Sequence, residues 1–212
     1  MNFVRFLLVV FVACGTAAAA QRASRPADEW VKVLESPDRI AALRVEEVVA
    51  RLKLRPGEVV ADLGAGSGPF VVPLATAVGP KGKIYAVEID RGFFPYILQK
   101  AKEAGVTNVQ VIAGAFTDPN LPAADVDVAF MHDVLHHIDN RPAYFRNLAT
   151  YLKPGARVAV IDYHAAESPH RDEPALVVAK EQGTFWLADA GLRAVEDVAL
   201  FEDKWFVIYR RE

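Results

Sequence analysis

The sequence VVADLGAGSG, residues 59–68, joins a short apolar run to a turn that contains three glycines. The apolar run predicts a buried strand, and the glycines allow backbone N–H groups at a strand-to-helix junction to approach a ligand closely. Glu88 ends the next apolar run, where a carboxylate can accept hydrogen bonds from two ribose hydroxyls. Together these features predict a site for a nucleoside-containing ligand.

The spacing of the turn narrows the choice of ligand. Dinucleotide sites carry G-x-G-x-x-G, whereas here the order is G-x-G-x-G and Asp62 stands two residues before Gly64. A carboxylate beside the turn is unfavourable for a pyrophosphate and favourable for an ammonium group. S-adenosylmethionine carries an ammonium, a sulfonium and a ribose. The alternative is a tight structural turn without a ligand.

Apolar strands alternate with helices along most of the chain. Strands are predicted over 59–62, 83–88, 109–113, 126–131 and 157–162, and helices over 38–52, 70–78, 93–104 and 142–151. This pattern predicts an α/β fold with a parallel sheet covered on both faces. The tail differs, since 194–201 and 205–210 flank a polar turn and predict a hairpin with an antiparallel edge.

Residues 62–68, 87–90, 127–137 and 152–155 resemble, in this order, the motifs of class I S-adenosylmethionine-dependent methyltransferases. The resemblance extends over residues 48–210 and points to an exported bacterial member. It implies a Rossmann-like, doubly wound, seven-stranded and mostly parallel sheet with an antiparallel C-terminal strand. It also implies methyl transfer from S-adenosyl-L-methionine to an unidentified acceptor, for which a small molecule is the default.

The resemblance also implies which residues contact the cofactor. Gly64, Gly66 and Gly68 would cradle it, Asp62 would lie near its amino group and Glu88 would hold the ribose. The full implied set is Asp62, Gly64, Ala65, Gly66, Gly68, Glu88, Ile89, Phe116, Asp118, His132 and Asp133.

One position departs from the family. Where many relatives carry Gly-Asp after the third strand, with the Asp reaching the adenine, this chain has Gly114-Ala115. Asp118 would replace that carboxylate from a longer loop, or it would simply form a turn before Pro119. Phe116 would pack on the adenine or in the core. The departure keeps open a cofactor-binding module without catalytic activity.

The histidines near residue 132 suggest a rival function. His132-Asp133-Val134-Leu135-His136 is similar to H-E-x-x-H, the helical motif of zinc hydrolases. A helix through both histidines is doubtful, because His132 directly follows an apolar strand, so no metal site is predicted in the main interpretation. If the acceptor must lose a proton, His132 and His136 are the catalytic candidates by position alone.

Composition indicates one globular domain. The chain has 212 residues, 52% of them hydrophobic, and a formal net charge of −3. This charge argues against general nucleic-acid binding and against binding to an anionic membrane surface.

The first twenty residues have the plan of a secretory signal peptide. Arg5 precedes a continuous apolar run over 6–13, and small residues lead to Ala20. The domain plan is a signal peptide over 1–20, an arm and helix over 21–55 and the methyltransferase domain over 56–212, with no transmembrane segment after cleavage. We therefore expect a periplasmic or secreted protein, and lipid anchoring at Cys14 is the minority alternative.

Overall fold

A computed structural model describes residues 26–212. The predicted signal peptide and Cys14 lie outside these described residues. Within them, no helix combines the length and the hydropathy that crossing a bilayer requires.

Seven strands form one sheet in the order β3-β2-β1-β4-β5-β7-β6. Every neighbouring pair from β3 to β5 is parallel, and β7 runs antiparallel to both β5 and β6. The strands are β1 (Val59–Leu63), β2 (Lys83–Glu88), β3 (Val109–Ala113), β4 (Val126–His132), β5 (Leu152–Tyr163), β6 (Leu192–Asp197) and β7 (Lys204–Arg211). The predicted sheet is confirmed, but the antiparallel strand is second from the edge, and the edge strand β6 follows the direction of β5.

Seven α-helices accompany the sheet in the described part of the chain. They are α1 (Ala27–Leu34), α2 (Pro37–Leu43), α3 (Val45–Leu52), α4 (Val71–Val78), α5 (Phe94–Glu103), α6 (Arg141–Tyr151) and α7 (Lys180–Asp189). The sequence prediction contained neither α1 nor α7. It also joined α2 to α3, whereas Arg44 adopts a left-handed conformation with φ 49° and separates them. Arg44 is held there by contacts with Glu47 and with the carbonyl of Leu200.

Two apolar layers hold the helices to the sheet, because successive strand residues point to opposite faces. On one face Ala129 and Val158 pack with Phe145 and Leu148 of α6. On the other face Val128 packs in the same cluster as Val48 and Leu52 of α3, and Leu74 of α4. Both faces of the strands are therefore buried, as the continuous apolar runs predict.

The site follows from the strand order. After β1 the chain builds outward through β2 and β3, and it then returns to place β4 on the other side of β1. In doubly wound sheets such a switch point opens a crevice at the carboxyl ends of the strands. Asp62, Glu88 and His132 stand at or next to those ends.

We predict that Phe145→Ala lowers the free energy of unfolding by about 3–5 kcal/mol, because the truncation leaves a cavity between α6 and the sheet. Phe145 is fully buried, whereas Phe185 of α7 is 66% exposed. The matched control Phe185→Ala should stay within about 0.5 kcal/mol of the native value. Urea unfolding measures both, and equal losses would contradict the proposed packing.

Candidate functional site

The glycine turn follows β1 directly and has an unusual backbone. Gly64 and Gly66 have φ values of 76° and 54°, in the left-handed region. A Cβ on Gly64 would lie 2.4 Å from Cγ2 of Val134, whereas a Cβ on Gly66 would meet only Leu34, at 3.8 Å. Gly64 therefore allows the turn to pack on the segment after β4, and the backbone at Gly66 stays accessible from the crevice.

Glu88 fixes the turn to the end of β2. Its carboxylate accepts hydrogen bonds from the backbone N–H groups of Gly66, Ile89 and Asp90, at 2.8, 2.8 and 2.9 Å. Oε1 receives two of these bonds and Oε2 only one, so Oε2 keeps capacity for a ligand hydroxyl. Glu88 thus both shapes the crevice and lines it.

Asp62 is the second carboxylate beside the glycine turn, and unlike Glu88 it has an oxygen without a hydrogen-bond partner. It is 3% exposed, and its Oδ2 has no hydrogen-bond partner. Burial, together with the charge of Glu88, raises the pKa of Asp62 to about 7. A buried acceptor beside a second carboxylate favours a cationic ligand.

Asp133 links three elements behind the crevice. Its Oδ2 lies 2.9 Å from Nη1 of Arg39 and 3.0 Å from Nζ of Lys204, and it accepts a longer bond from the hydroxyl of Tyr163 at 3.4 Å. Burial opposes ionisation, but His132, Lys204 and Arg39 outweigh it and hold the pKa of Asp133 well below its usual range. Asp133 is therefore an anion that holds these elements together. Its backbone is left-handed, with φ 58°.

His132 ends β4 with a buried ring, whose Nδ1 lies 3.4 Å from Oδ1 of Asp133 and whose Nε2 has no hydrogen-bond partner. The ring packs between Phe70 and Phe201, with centroid distances of 5.4 and 5.6 Å. Burial lowers the pKa of His132, against the opposing effect of Asp133. A neutral imidazole that lines the crevice is thus available to accept a proton.

His136 has a different environment. Its Nδ1 lies 2.7 Å from Oδ1 of Asp162, and its backbone N–H donates to Oδ2 at 3.0 Å. It is buried outside the crevice, whereas its neighbour His137 lines it. Partial burial and the neighbouring imidazoles of His136 and His170 lower the pKa of His137 to about 4, so this ring is neutral at pH 7.

The interpretation of His132 to His136 as a helical zinc motif is wrong. His132 belongs to β4, Asp133 is left-handed and Leu135–His137 forms a short 3-10 turn, so no regular helix carries both histidines. Without that helix, His132 and His136 do not share the face that the motif requires.

The crevice is a cavity of about 590 Å³ that receives most of the predicted cofactor residues. Those among its lining are Asp62, Gly64, Ala65, Gly66, Glu88, Ile89, Phe116, His132 and Asp133. Gly68 and Asp118 lie outside the lining. Oδ1 of Asp118 accepts bonds from the backbone N–H of Asn120 at 2.7 Å and from the hydroxyl of Tyr151 at 3.0 Å.

Sequence reasoning missed the outer wall of the cavity. Trp30 and Leu34 of α1, with Arg39 and Leu43 of α2, complete the lining. The signal was present, because Trp30 and Leu34 have the four-residue spacing that places side chains on one helix face. Tyr144 of α6 also lines the cavity and was not predicted.

Comparison with known proteins agrees with this geometry. A family model described as "Methyltransferase domain" matches residues 54–191. The chain belongs to this methyltransferase family. Its fold is the class I, S-adenosylmethionine-dependent type that the sequence resemblance predicts.

Individual relatives agree with the assignment. A SAM-dependent methyltransferase from Aquifex aeolicus has a TM-score of 0.79 and 28% identity, over 89% of this methyltransferase and 100% of that chain. The 2-phytyl-1,4-naphtoquinone methyltransferase of Synechococcus elongatus is 31% identical over 116 residues, 54% of this chain and 50% of that protein. The demethylmenaquinone methyltransferase of Geobacillus sp. is 24% identical over 117 residues, 55% of this chain and 50% of that protein. The matches therefore span about half the length of these curated relatives.

We predict that Gly64→Ala destabilises this methyltransferase more than Gly191→Ala. Both glycines have positive φ, at 76° and 77°, but only a Cβ on Gly64 meets another side chain. Backbone strain alone costs roughly 1–2 kcal/mol, so any excess loss in Gly64→Ala measures the overlap with Val134. Thermal unfolding measures the stability of both variants. Equal losses of stability would show that the side chain of Val134 moves aside without a free-energy cost.

Proposed function

We propose that this methyltransferase binds S-adenosylmethionine in the cavity at the strand ends and transfers its methyl group to a small-molecule acceptor. The observation that carries the proposal is the pairing of two different carboxylates beside the glycine turn. Asp62 offers an unpartnered buried oxygen, and Glu88 offers an oxygen with spare acceptor capacity. These match an ammonium group and a ribose hydroxyl, two groups that the cofactor carries.

The remaining contacts support the same orientation. The backbone at Gly66 is accessible from the cavity, so the cofactor can approach it without meeting a side chain of the turn. Phe116 is exposed and lines the cavity near Ala115, so it offers an aromatic face for the adenine. Because Asp118 is bonded to Tyr151 and Asn120, its role at the adenine stays a prediction.

The cofactor supplies a methyl group on a sulfonium, so transfer requires mainly that an acceptor lone pair is held in line with it. The residues of this chain orient the acceptor and exclude water. Helices α1 and α2 cover the cavity with Trp30, Leu34 and Leu43. The neutral imidazole of His132, whose Nε2 has no hydrogen-bond partner, accepts a proton from an acceptor that must be deprotonated.

The outer wall also bears on the acceptor. Trp30, Leu34 and Leu43 make most of that wall apolar, and its cation, Arg39, is paired with Asp133. Such a wall favours an acceptor with an apolar body and one reactive polar atom. The two relatives described above are named for 2-phytyl-1,4-naphtoquinone and for demethylmenaquinone.

Export remains a prediction from the first twenty residues. The cofactor is made in the cytoplasm, so an exported enzyme needs a supply of cofactor outside the cytoplasm. A cofactor-binding module without turnover is the second candidate, and it is favoured by Ala115, which has no side-chain acceptor for the adenine.

We predict that binding of S-adenosylhomocysteine strengthens as the pH rises from 6 to 7.5. Below pH 7 the carboxyl of Asp62 is protonated in the free protein, and an ammonium ligand must displace that proton. One-proton linkage gives roughly eightfold weaker binding at pH 6 than at pH 7.5. Asp62→Asn should bind more weakly and lose this dependence. Calorimetric titration measures the affinities, with NAD as the control ligand.

In the absence of ligand, Asp62→Asn should also change how the free energy of unfolding depends on pH. The folded pKa of Asp62 is raised above the ordinary value of 3.8, so its stabilising contribution is complete below that value and is lost as the pH rises through 7. Asp62→Asn should therefore gain stability relative to the native chain above pH 7 and not below pH 4. No binding of S-adenosylhomocysteine by a folded native sample would overturn the proposed function.

We predict that Glu88→Ala weakens S-adenosylhomocysteine binding roughly 10–100-fold, the range for hydrogen bonds to a charged group. Glu103→Ala, at an exposed glutamate of α5 outside the cavity, is the matched control and should bind normally. Circular dichroism checks folding, because Glu88 also holds the glycine turn. Unchanged affinity in folded Glu88→Ala would sink the ribose assignment. Binding without methyl transfer to phenol, thiol and amine acceptors would favour the non-catalytic module.

A further inference from the structure

Three imidazoles meet at the rim of the cavity. They belong to His136 and His137, in the turn after β4, and to His170, in the loop between β5 and α7. One ring nitrogen from each lies within 4.8 Å of the other two. The ring centroids are 4.1 Å apart for His136 and His137, 5.2 Å for His136 and His170, and 5.4 Å for His137 and His170.

His136 is already oriented as a metal ligand. The buried carboxylate of Asp162 holds its Nδ1 at 2.7 Å and its backbone N–H at 3.0 Å. This contact fixes the ring, and no residue in the described part of the chain forms a hydrogen bond with Nε2. Metal-binding histidines typically donate their second ring N–H to a carboxylate in this way, which sets the tautomer and raises the basicity of the ligand nitrogen.

The loop that carries His170 is attached to the same turn. Nη2 of Arg141 donates to the carbonyl of His136 and to the carbonyl of Ala175, both at 2.8 Å. Ser168, buried in that loop, accepts the backbone N–H of His170 through its hydroxyl at 3.1 Å. The backbone of His170 is therefore placed by specific contacts, and Nδ1 of its ring lies 3.6 Å from Oε1 of Glu173.

We propose that His136, His137 and His170 bind a divalent transition-metal ion, with Zn²⁺ as the first case. Three imidazoles with one open position are a ligand set of catalytic zinc sites, and imidazole suits zinc, copper, iron and nickel better than magnesium or calcium. Nitrogens bound to one zinc ion lie roughly 3.4 Å apart. His137 is exposed and His170 is half-buried, so rotation of these two side chains closes the difference.

The site also specifies an acceptor class, an inference that rests on the proposed function. Because His137 lines the cavity, the open position of the metal is accessible to an acceptor bound there. A hydroxyl or thiol placed on it has a lowered pKa and releases its proton to water, a route that replaces proton transfer to His132. Its oxygen or sulfur then forms the bond to the methyl carbon as the carbon–sulfonium bond breaks, with the bonding electron pair left on the cofactor sulfur.

The first test is metal binding by the full chain, stripped with a chelator and then titrated with Zn²⁺ at pH 7.5. We expect one ion per chain. His137→Ala and His170→Ala should each weaken the affinity at least tenfold, a loss typical of altered metal shells. The matched control is His164→Ala, at an exposed histidine outside the cluster and the cavity, which should bind Zn²⁺ as the native chain does.

The second test uses Co²⁺ as a spectroscopic probe of the open position. The Co²⁺-loaded chain should show visible absorption typical of a four-coordinate site with three nitrogen ligands and one water, and added 2-mercaptoethanol should shift it by replacing the water with sulfur. His170→Ala should abolish both signals. Absence of metal binding, or equal affinity in the native chain and both cluster variants, would overturn the site, and an unshifted spectrum would overturn the acceptor class.

Parallel titration with S-adenosylhomocysteine separates the two proposals. His170 lies outside the cavity lining, so His170→Ala should bind this ligand with native affinity. Metal binding without cofactor binding would leave the metal site standing and refute the proposed function. Cofactor binding without metal binding would do the reverse.

Discussion

A single carboxylate oxygen, Oδ2 of Asp133, holds the crevice together. Arg39 reaches it from α2, Lys204 from β7 and Tyr163 from β5, so three distant parts of the chain converge on one buried anion. The side chain of Lys204 is 2% exposed. Removing either partner of such a buried pair leaves an uncompensated charge. The position of the covering helices and that of the end of β4 are therefore set by the same contact.

The sheet could be predicted from the sequence because its signals are local and repeated. Continuous apolar runs such as 126–131 indicate strands buried on both faces, and the helices between them require parallel connections. The glycine turn and Glu88 could be placed for the same reason, since each directly follows a strand. The order of the motifs, through the resemblance to class I methyltransferases, then implied seven strands and an antiparallel C-terminal strand.

The errors occurred where contacts across the sequence override local pattern. The helix predicted over 38–52 breaks at Arg44 because Glu47 and Leu200 hold that residue in a left-handed conformation. Nothing near residue 118 in the sequence indicates that the hydroxyl of Tyr151 donates a hydrogen bond to the carboxylate of Asp118. The cluster of His136 and His170 likewise depends on Arg141, which connects two segments separated along the chain.

The covering helix α1 differs energetically from the rest of the fold. None of its residues is buried, yet Trp30 and Leu34 line the cavity. Segments with few buried contacts open at a far lower free energy than a sheet core does. The free energy that holds α1 in place is therefore smaller than the free energy of unfolding of the sheet. A ligand that contacts Trp30 or Leu34 adds to it by mass action.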